Sequence, residues 1–520
     1  MKKILPLLIL AVFCSCSMSD LPYFSWWTGT EDTSQPVRPG IPGERPFWNA
    51  YSAWGFMYAP AFDFKEVAGA KSYRFTLAPR TGGPALSFPA KKPWAALSPV
   101  WNKVPVGFVK LTVEGMDGGR VIGVAGTREF YRKAAFGGKS PAAVRGYRES
   151  GELKLKHLYK SSYVRYWLDH DSPDPGYGYY CYPSKMIGSI LIGLVRYSRI
   201  APDVKDKALT IARHAADFLI RRSTPKGSAY AYFPPTYIGE QYSAKGRNDI
   251  VMMNYPEEVS QGYLDLYDAT GEKRYFSAAE NIAKTYVKTQ LASGTWPLSV
   301  KPKTGEIVSK NALVPIGVFR LLRRLDKQYG RAEFRPAAKR AMDWIIANPV
   351  RTFNWEGQFE DVRPSVPYAN LSKGQACDIA VYMLDNAGEN PQYEAWAMDI
   401  IRFAEDQFVV WGHPNPDLKP ANWLTPCALE QYDWMMPIND SASDLMLAWA
   451  AAYKRTGKEI FRRKARALAN AMTVTQLPDG ELPTYWHHTN DCWMNCAVLA
   501  AISMIKMEEA GIYAVLPKKK

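Results

Sequence analysis

The chain has 520 residues, 47% hydrophobic and 22% charged, and its Lys and Arg outnumber Asp and Glu by 15. That length exceeds one ordinary domain, and the balance excludes a disordered or collagen-like chain. The apolar run at residues 4–13 is too short to cross a bilayer, so no membrane-spanning helix is expected. The 17 Trp and 31 Tyr supply more flat surface than a core of this size needs.

Five of the excess positive charges lie in Lys2, Lys3 and Lys518–Lys520, leaving about +10 on the body. Such a charge suits nucleic acid, a membrane surface or an acidic polymer. No helix-turn-helix, zinc-finger or RNP-like signature occurs, so nucleic acid is not expected. An acidic oligo- or polysaccharide suits the charge better; the alternative is a charge that only keeps the chain soluble.

Residues 1–16 read as an export signal: Lys2 and Lys3, the apolar Ile4–Phe13 stretch, then small residues and cysteine. Val12, Phe13, Cys14, Ser15 and Cys16 resemble a bacterial lipoprotein signal, which implies cleavage after Ser15 and lipid on Cys16. Phe13 is bulkier than that pattern prefers, and Cys14 directly follows it, which makes Cys14 the poorer site. The resulting expectation is a lipid anchor in the bacterial cell envelope, periplasmic or outer-membrane, with simple secretion as the alternative. Residues 17–44 would then be a spacer.

Cys181, Cys377, Cys427, Cys492 and Cys496 remain after processing, an odd and scattered set that is no disulfide framework. Cys492 and Cys496 would share a helix face, and with His487 and His488 they could hold a metal. Buried thiols packed between helices are the plainer reading. No metal or cofactor is expected.

Residues 45–133 alternate with period two around Ala61–Phe64, Ser72–Leu77 and Val109–Val113. Val67, Ala68, Gly69 and Ala70 before a Tyr-rich strand resemble the fibronectin type III-like β-sandwich modules of secreted carbohydrate enzymes. The resemblance implies a small module that packs on, or spaces, the domain after it.

From about Ala134 to the end the pattern is helical and repeats. Thr270 and Gly271 recur as Thr456 and Gly457, and Ala279 and Ala283 as Ala465 and Ala469. Gln290, Gly294 and Pro297 recur in the same register as Gln476, Gly480 and Pro483. The period predicts helix pairs at 183–199 with 203–221, 255–269 with 273–291, 310–328 with 332–347, 369–387 with 390–408, and 437–455 with 458–474. A last helix at 490–509 pairs with 143–160 and closes the ring. Such repeats bury their apolar faces only by stacking. Six hairpins in a ring resemble the (alpha/alpha)6 toroid of six-hairpin glycosidases and related lyases and epimerases; an open solenoid is the alternative.

Glycoside hydrolysis needs two carboxyl groups across the scissile bond, one of them protonated. Two segments place acids among aromatics. Tyr255, Pro256, Glu257 and Glu258 open a predicted inner helix, where roughly 100° separates adjacent side chains and only one Glu can face the cavity squarely. Trp355, Glu356, Glu360 and Asp361 lie in the loop before another, with Glu356 and Asp361 favoured. Glu356 or Asp361 is expected to face Glu257 or Glu258; Glu430, Asp433, Asp440 and Asp491 are reserves.

Trp355, Trp423, Trp434 and Trp486 are candidates to stack on sugar rings. Lys185, Lys310 and Lys373 each follow a serine at an expected inner-helix start, suggesting positive potential at the cavity mouth. With Arg363, His487 and His488 nearby, these point to a carboxylated sugar. In overall organisation the chain resembles the beta-glucuronidases of glycoside hydrolase family 154, which implies a hydrolase acting on a uronic-acid-containing glycan. A polysaccharide lyase using Tyr255 or His488 as base, and a glycan-binding lipoprotein without turnover, are the alternatives.

Overall fold

The computed structural model describes residues 23–25, 31–37, 48, 53–309, 311–360, 368–412, 423–486 and 492–517. The expected export signal with Cys14 and Cys16 lies outside the described residues, as do Lys310, Asp361, Arg363, His487, His488 and Asp491.

Alternating burial builds the first module. Tyr73, Phe75 and Leu77 point inward from Ser72–Pro79, and Val109, Leu111 and Val113 from Gly107–Asp117. The sheet order is Gly55–Phe56, Arg120–Arg132, Gly107–Asp117, Ser72–Pro79, Leu86–Ala90. All neighbours are antiparallel except Gly55–Phe56, which runs parallel to Arg120–Arg132. Ala61–Asp63 pairs with Trp94–Ala96 in a second, two-stranded sheet.

The ring follows. We number its helices α1 (Tyr147–Lys160), α2 (Pro183–Ile200), α3 (Lys205–Arg222), α4 (Tyr255–Thr270), α5 (Lys273–Thr289) and α6 (Ile316–Tyr329). The rest are α7 (Arg335–Ile345), α8 (Gly374–Asp385), α9 (Tyr393–Phe408), α10 (Asn439–Thr456), α11 (Glu459–Thr475) and α12 (Met494–Glu509). Helices α2, α4, α6, α8, α10 and α12 each touch the next, and α12 returns to α2. Each is backed by one outer helix, α3, α5, α7, α9, α11 and α1 in that order. This is a closed (alpha/alpha)6 toroid preceded by a β module.

The repeat read in the sequence has an atomic cause. Gly271 and Gly457 end α4 and α10 with φ of 74° and 67°, a left-handed cap that glycine takes without strain. Ala279, Ala283, Ala465 and Ala469 are fully buried where outer helices meet their partners. Gln290 Nε2 donates to the Gly294 carbonyl at 2.8 Å and to Ala337 O at 3.0 Å on α7. Gln476 Nε2 does the same toward Gly480 at 2.9 Å and Ser150 O at 2.9 Å on α1. One amide thus ties each of these hairpins to the next, and the second copy closes the ring.

Gly480 has φ 97°, and a Cβ there would stand 2.8 Å from the Leu153 carbonyl oxygen. Gly271 has comparable φ but nothing within 4 Å of such a Cβ. Gly480→Ala should therefore cost about 1–3 kcal/mol in urea denaturation, clearly more than Gly271→Ala. Equal losses would show that the hairpin contact at Gly480 is soft.

Three inner helices begin later than expected, at 316, 374 and 494. The residues before them are already extended and bonded elsewhere. Leu298 N donates to Asn311 O, Glu356 bridges Leu371, Ser372 bridges Gln431, and Trp493 N donates to Thr484 Oγ1. Lys373 consequently stands at the helix cap, with no serine cap beside it.

Part of the expected spacer is also packed. Thr33 and Val37 are buried, and the Glu31 carboxylate accepts from Lys464 Nζ at 2.7 Å and Tyr58 Oη at 2.8 Å. Asp406 at the end of α9 accepts from the backbone N–H of Met57 and Tyr58 at 2.6 and 2.9 Å. The β module is thus seated on the ring through buried, bonded charges.

Candidate active site

Short turns join each of the first five inner helices to the outer helix that follows it, so these inner helices run the same way and their N-termini share one end of the ring. Pro256 sits in the first turn of α4, where its missing N–H costs nothing, and it leads Glu257 and Glu258 into the helix. The two acids diverge as helix geometry requires. Glu257 turns sideways: its carboxylate lies where a Cβ on Gly317 of α6 would be, so it packs into the α4–α6 contact. Glu258 stays solvent-accessible although protein surrounds it, which places it in the lumen.

Asp440 stands in the first turn of α10, the helix across the ring from α4. Burial raises the Glu258 carboxyl to about 8; Lys185 opposes this, while Asp440, Asp378 and Glu360 reinforce it. Asp440 is also raised by burial, but Lys373 and Lys185 pull it back. Asp440 on the facing helix thus bears on Glu258, and the two carboxyl groups differ in charge environment. Environments of this kind separate an acid from a base. Asp444, one turn below Asp440, is pushed well above the usual carboxylate range by burial and by Asp440.

Lys185 lies beside them. Its Nζ is 2.6 Å from Glu360 Oε1 and sits over the rings of Trp493, Tyr255 and Tyr182 at 5.1, 5.4 and 5.8 Å. Tyr255 Oη donates to the same Glu360 oxygen at 2.9 Å. Glu360 remains ionised: burial opposes this, but Lys185 and hydrogen bonds from its surroundings outweigh it and hold its carboxyl below the usual value. The Tyr255 hydroxyl moves the other way, since burial and Glu360 push it well above its ordinary range.

The loop acids differ from expectation. Glu356 is raised to about 7 by burial alone, with one buried carboxylate oxygen lacking a hydrogen bond. Glu258, by contrast, also feels Lys185, Asp440, Asp378 and Glu360. Trp355, expected to stack on sugar, is 1% exposed, with its carbonyl accepting from Ser372 N beside the Glu356–Leu371 bridge. Trp423 and Trp486 are buried as well, whereas Trp434 is 49% exposed at the mouth.

Lys373, expected to meet substrate, is 1% exposed and donates to the Glu430 carbonyl at 2.8 Å. Both described lysines are therefore engaged by the protein itself. Cys496 lies near Asp440 and Glu430, its thiol pushed up chiefly by burial. No group of three or more metal-ligating side chains occurs among the described residues.

Sequence reasoning reached Glu258 and Lys185, and it held Asp440 only in reserve. It missed Asp378 and Asp444. The spacing of Asp440 and Asp444, one helical turn apart, was the available signal.

No protein-family profile matches the chain, and no curated protein matches it in sequence. Solved structures similar to it include a family 76 glycoside hydrolase from a bovine Bacteroides thetaiotaomicron strain, with TM-score 0.49 and 10% identity over 84% of this chain and 93% of that one. Cellobiose 2-epimerase from Spirochaeta thermophila gives 0.49 and 10%, covering 70% and 97%. An unsaturated glucuronyl hydrolase specific for heparin gives 0.46 and 10%, covering 71% and 98%. These are the proteins the chain is similar to in shape; the ring itself rests on its own helix contacts.

Proposed function

We propose that the chain is a glycoside hydrolase, exported and lipid-anchored at Cys16, that cleaves a uronic-acid-containing glycan in the manner of a beta-glucuronidase. The observation that carries the hydrolytic part is the pair Glu258 and Asp440 on opposed inner helices at the open mouth. Glu258, raised to about 8, keeps a proton near neutral pH and donates it to the leaving oxygen. Asp440, held nearer its ionised form by Lys373 and Lys185, activates water or attacks the sugar carbon.

The uronate preference is supported by the resemblance to family 154 and by the positive charge of the chain, whose Lys and Arg outnumber Asp and Glu by 15. Lys185 and Lys373 lend it less support, since protein groups already engage them. A lyase reading has one point against it. Tyr255 as base would have to lose a proton that burial and Glu360 hold in place.

The deciding experiment is product analysis after incubation with uronide glycans. Saturated sugars with a new reducing end are expected. An ultraviolet-absorbing unsaturated uronate would establish the lyase instead, and binding without any product would leave a glycan-binding protein.

A further inference from the structure

Outside the acids, one group of mouth residues has no part in the chemistry above. Tyr242 is 60% exposed, yet its ring stacks on Tyr179 at 5.0 Å and 15°. Tyr179 in turn meets Trp493 at 4.6 Å, and Trp493 covers the Lys185 ammonium at 5.1 Å, beside Glu360. The rings come from three different mouth loops and lead from solvent toward the acids.

Two further observations show that this arrangement is built. Tyr242 holds φ of 48°, a left-handed conformation that is uncommon for a large side chain and marks strain held by its surroundings. Gly178 lies directly beneath: a Cβ there would come within 2.9 Å of Gln241 Oε1 and 3.2 Å of the Tyr242 ring. The missing side chain lets the ring lie flat on Tyr179. The next residue, Ser243, donates its N–H to Tyr182 Oη at 2.9 Å, pinning the loop to the wall that also cages Lys185. Core packing explains the neighbouring Tyr163, Tyr177 and Tyr180, which stack beneath. It does not explain a strained aromatic ring left largely in water.

We propose that Tyr242, backed by the packed rings of Tyr179 and Trp493, offers its solvent-exposed face as the outer end of a binding track, where a distal pyranose ring of an oligosaccharide stacks as the chain enters the lumen. Flat aromatic faces suit the apolar C–H faces of sugar rings and tolerate differing hydroxyl patterns. The track rests on the glycoside reading above and narrows it: the ligand is a chain of several sugars, whose outer rings are held well away from the bond that breaks.

The test is binding as a function of chain length. Two-ring and six-ring cello-, xylo-, manno- and hyaluronan oligosaccharides are titrated by calorimetry into full-length Glu258→Gln protein, then into the same protein carrying Tyr242→Gly or Gly178→Ala. In at least one series the six-ring sugar should bind about tenfold tighter than the two-ring sugar. Either added substitution should remove that gap and leave two-ring binding unchanged. Glycine accepts φ of 48° freely, so Tyr242→Gly should unfold at the same temperature or slightly higher. Equal affinity for both lengths in every series, a gap that survives both substitutions, or no six-ring binding at all would overturn the track. A length-dependent gap with no cleavage by the unsubstituted protein would retain the track and sink the hydrolase reading.

Discussion

Glu258→Gln should lower turnover of a uronide substrate by roughly two to four orders of magnitude, the usual share of a proton donor. The amide is nearly isosteric and keeps a solvent-accessible position in the first turn of α4, so the unfolding transition should hardly move. Asp440→Asn should lose activity on the same scale. Glu257→Gln is the control: its carboxylate packs against Gly317 in the α4–α6 contact, so its turnover should stay within a few-fold of the unsubstituted protein. Glu258→Gln with full activity beside an inactive Glu356→Gln or Asp361→Asn would move the chemistry to the loop.

The pH profile follows with its sign. The donor must be protonated, and Glu258 releases its proton as pH rises through about 8. Activity should therefore hold below that value and fall above it. On the acid side, loss should come where Asp440 protonates, above its ordinary range because burial raises it. The two groups interact, so the limbs of the profile belong to the pair. An alkaline limb that persists unchanged in residual Glu258→Gln activity would assign it to another group.

The second large effect concerns stability. Lys464 is 1% exposed and sits 2.7 Å from both Glu31 and Glu405, with Tyr58 Oη bonding to the same two carboxylates. Trp411 Nε1 donates to Glu405 at 2.8 Å. Lys464→Met removes the only ammonium in contact with Glu405 among the described residues and leaves two acids facing each other out of water. The expected cost is about 3–5 kcal/mol in urea denaturation. Adding Glu405→Gln should return a large part of it, because the penalty is the stranded charge rather than lost packing.

The same cluster carries a pH signature. Burial chiefly, and Glu31 with it, raise Glu405 to about 7 against an ordinary value of 4.5. The folded chain therefore binds this proton more tightly than the unfolded one. Its contribution to stability is greatest in acid and falls as pH rises from 4.5 toward 7. Glu405→Gln should flatten that part of the stability curve; an unchanged slope would place the proton elsewhere.

The twelve helices and their pairing were legible in the sequence because their signals are local. A glycine at a left-handed cap, alanines one turn apart and a glutamine four residues before a glycine each act within a few residues of themselves. Glu258 was legible as one of a pair at a Pro-led helix start, since helix geometry sends adjacent side chains in different directions. Which of the pair faced the lumen was decided by Gly317 on the next helix, whose bare Cα leaves room for the Glu257 carboxylate.

Only the tertiary structure decided how the charges were used. Lys185 and Lys373 read as positive potential at the cavity mouth, but Glu360 and the Glu430 carbonyl reach them from distant loops. Trp355 read as a sugar platform, but it is 1% exposed, with its carbonyl accepting from Ser372 N beside the Glu356–Leu371 bridge. The opposition of Glu258 and Asp440 needs the ring to close, since α4 and α10 face each other only when six hairpins complete a circle. A residue's own sequence sets the direction of its side chain along an element. What that side chain meets is set by packing among segments far apart in the chain, where burial and neighbouring charge decide its protonation.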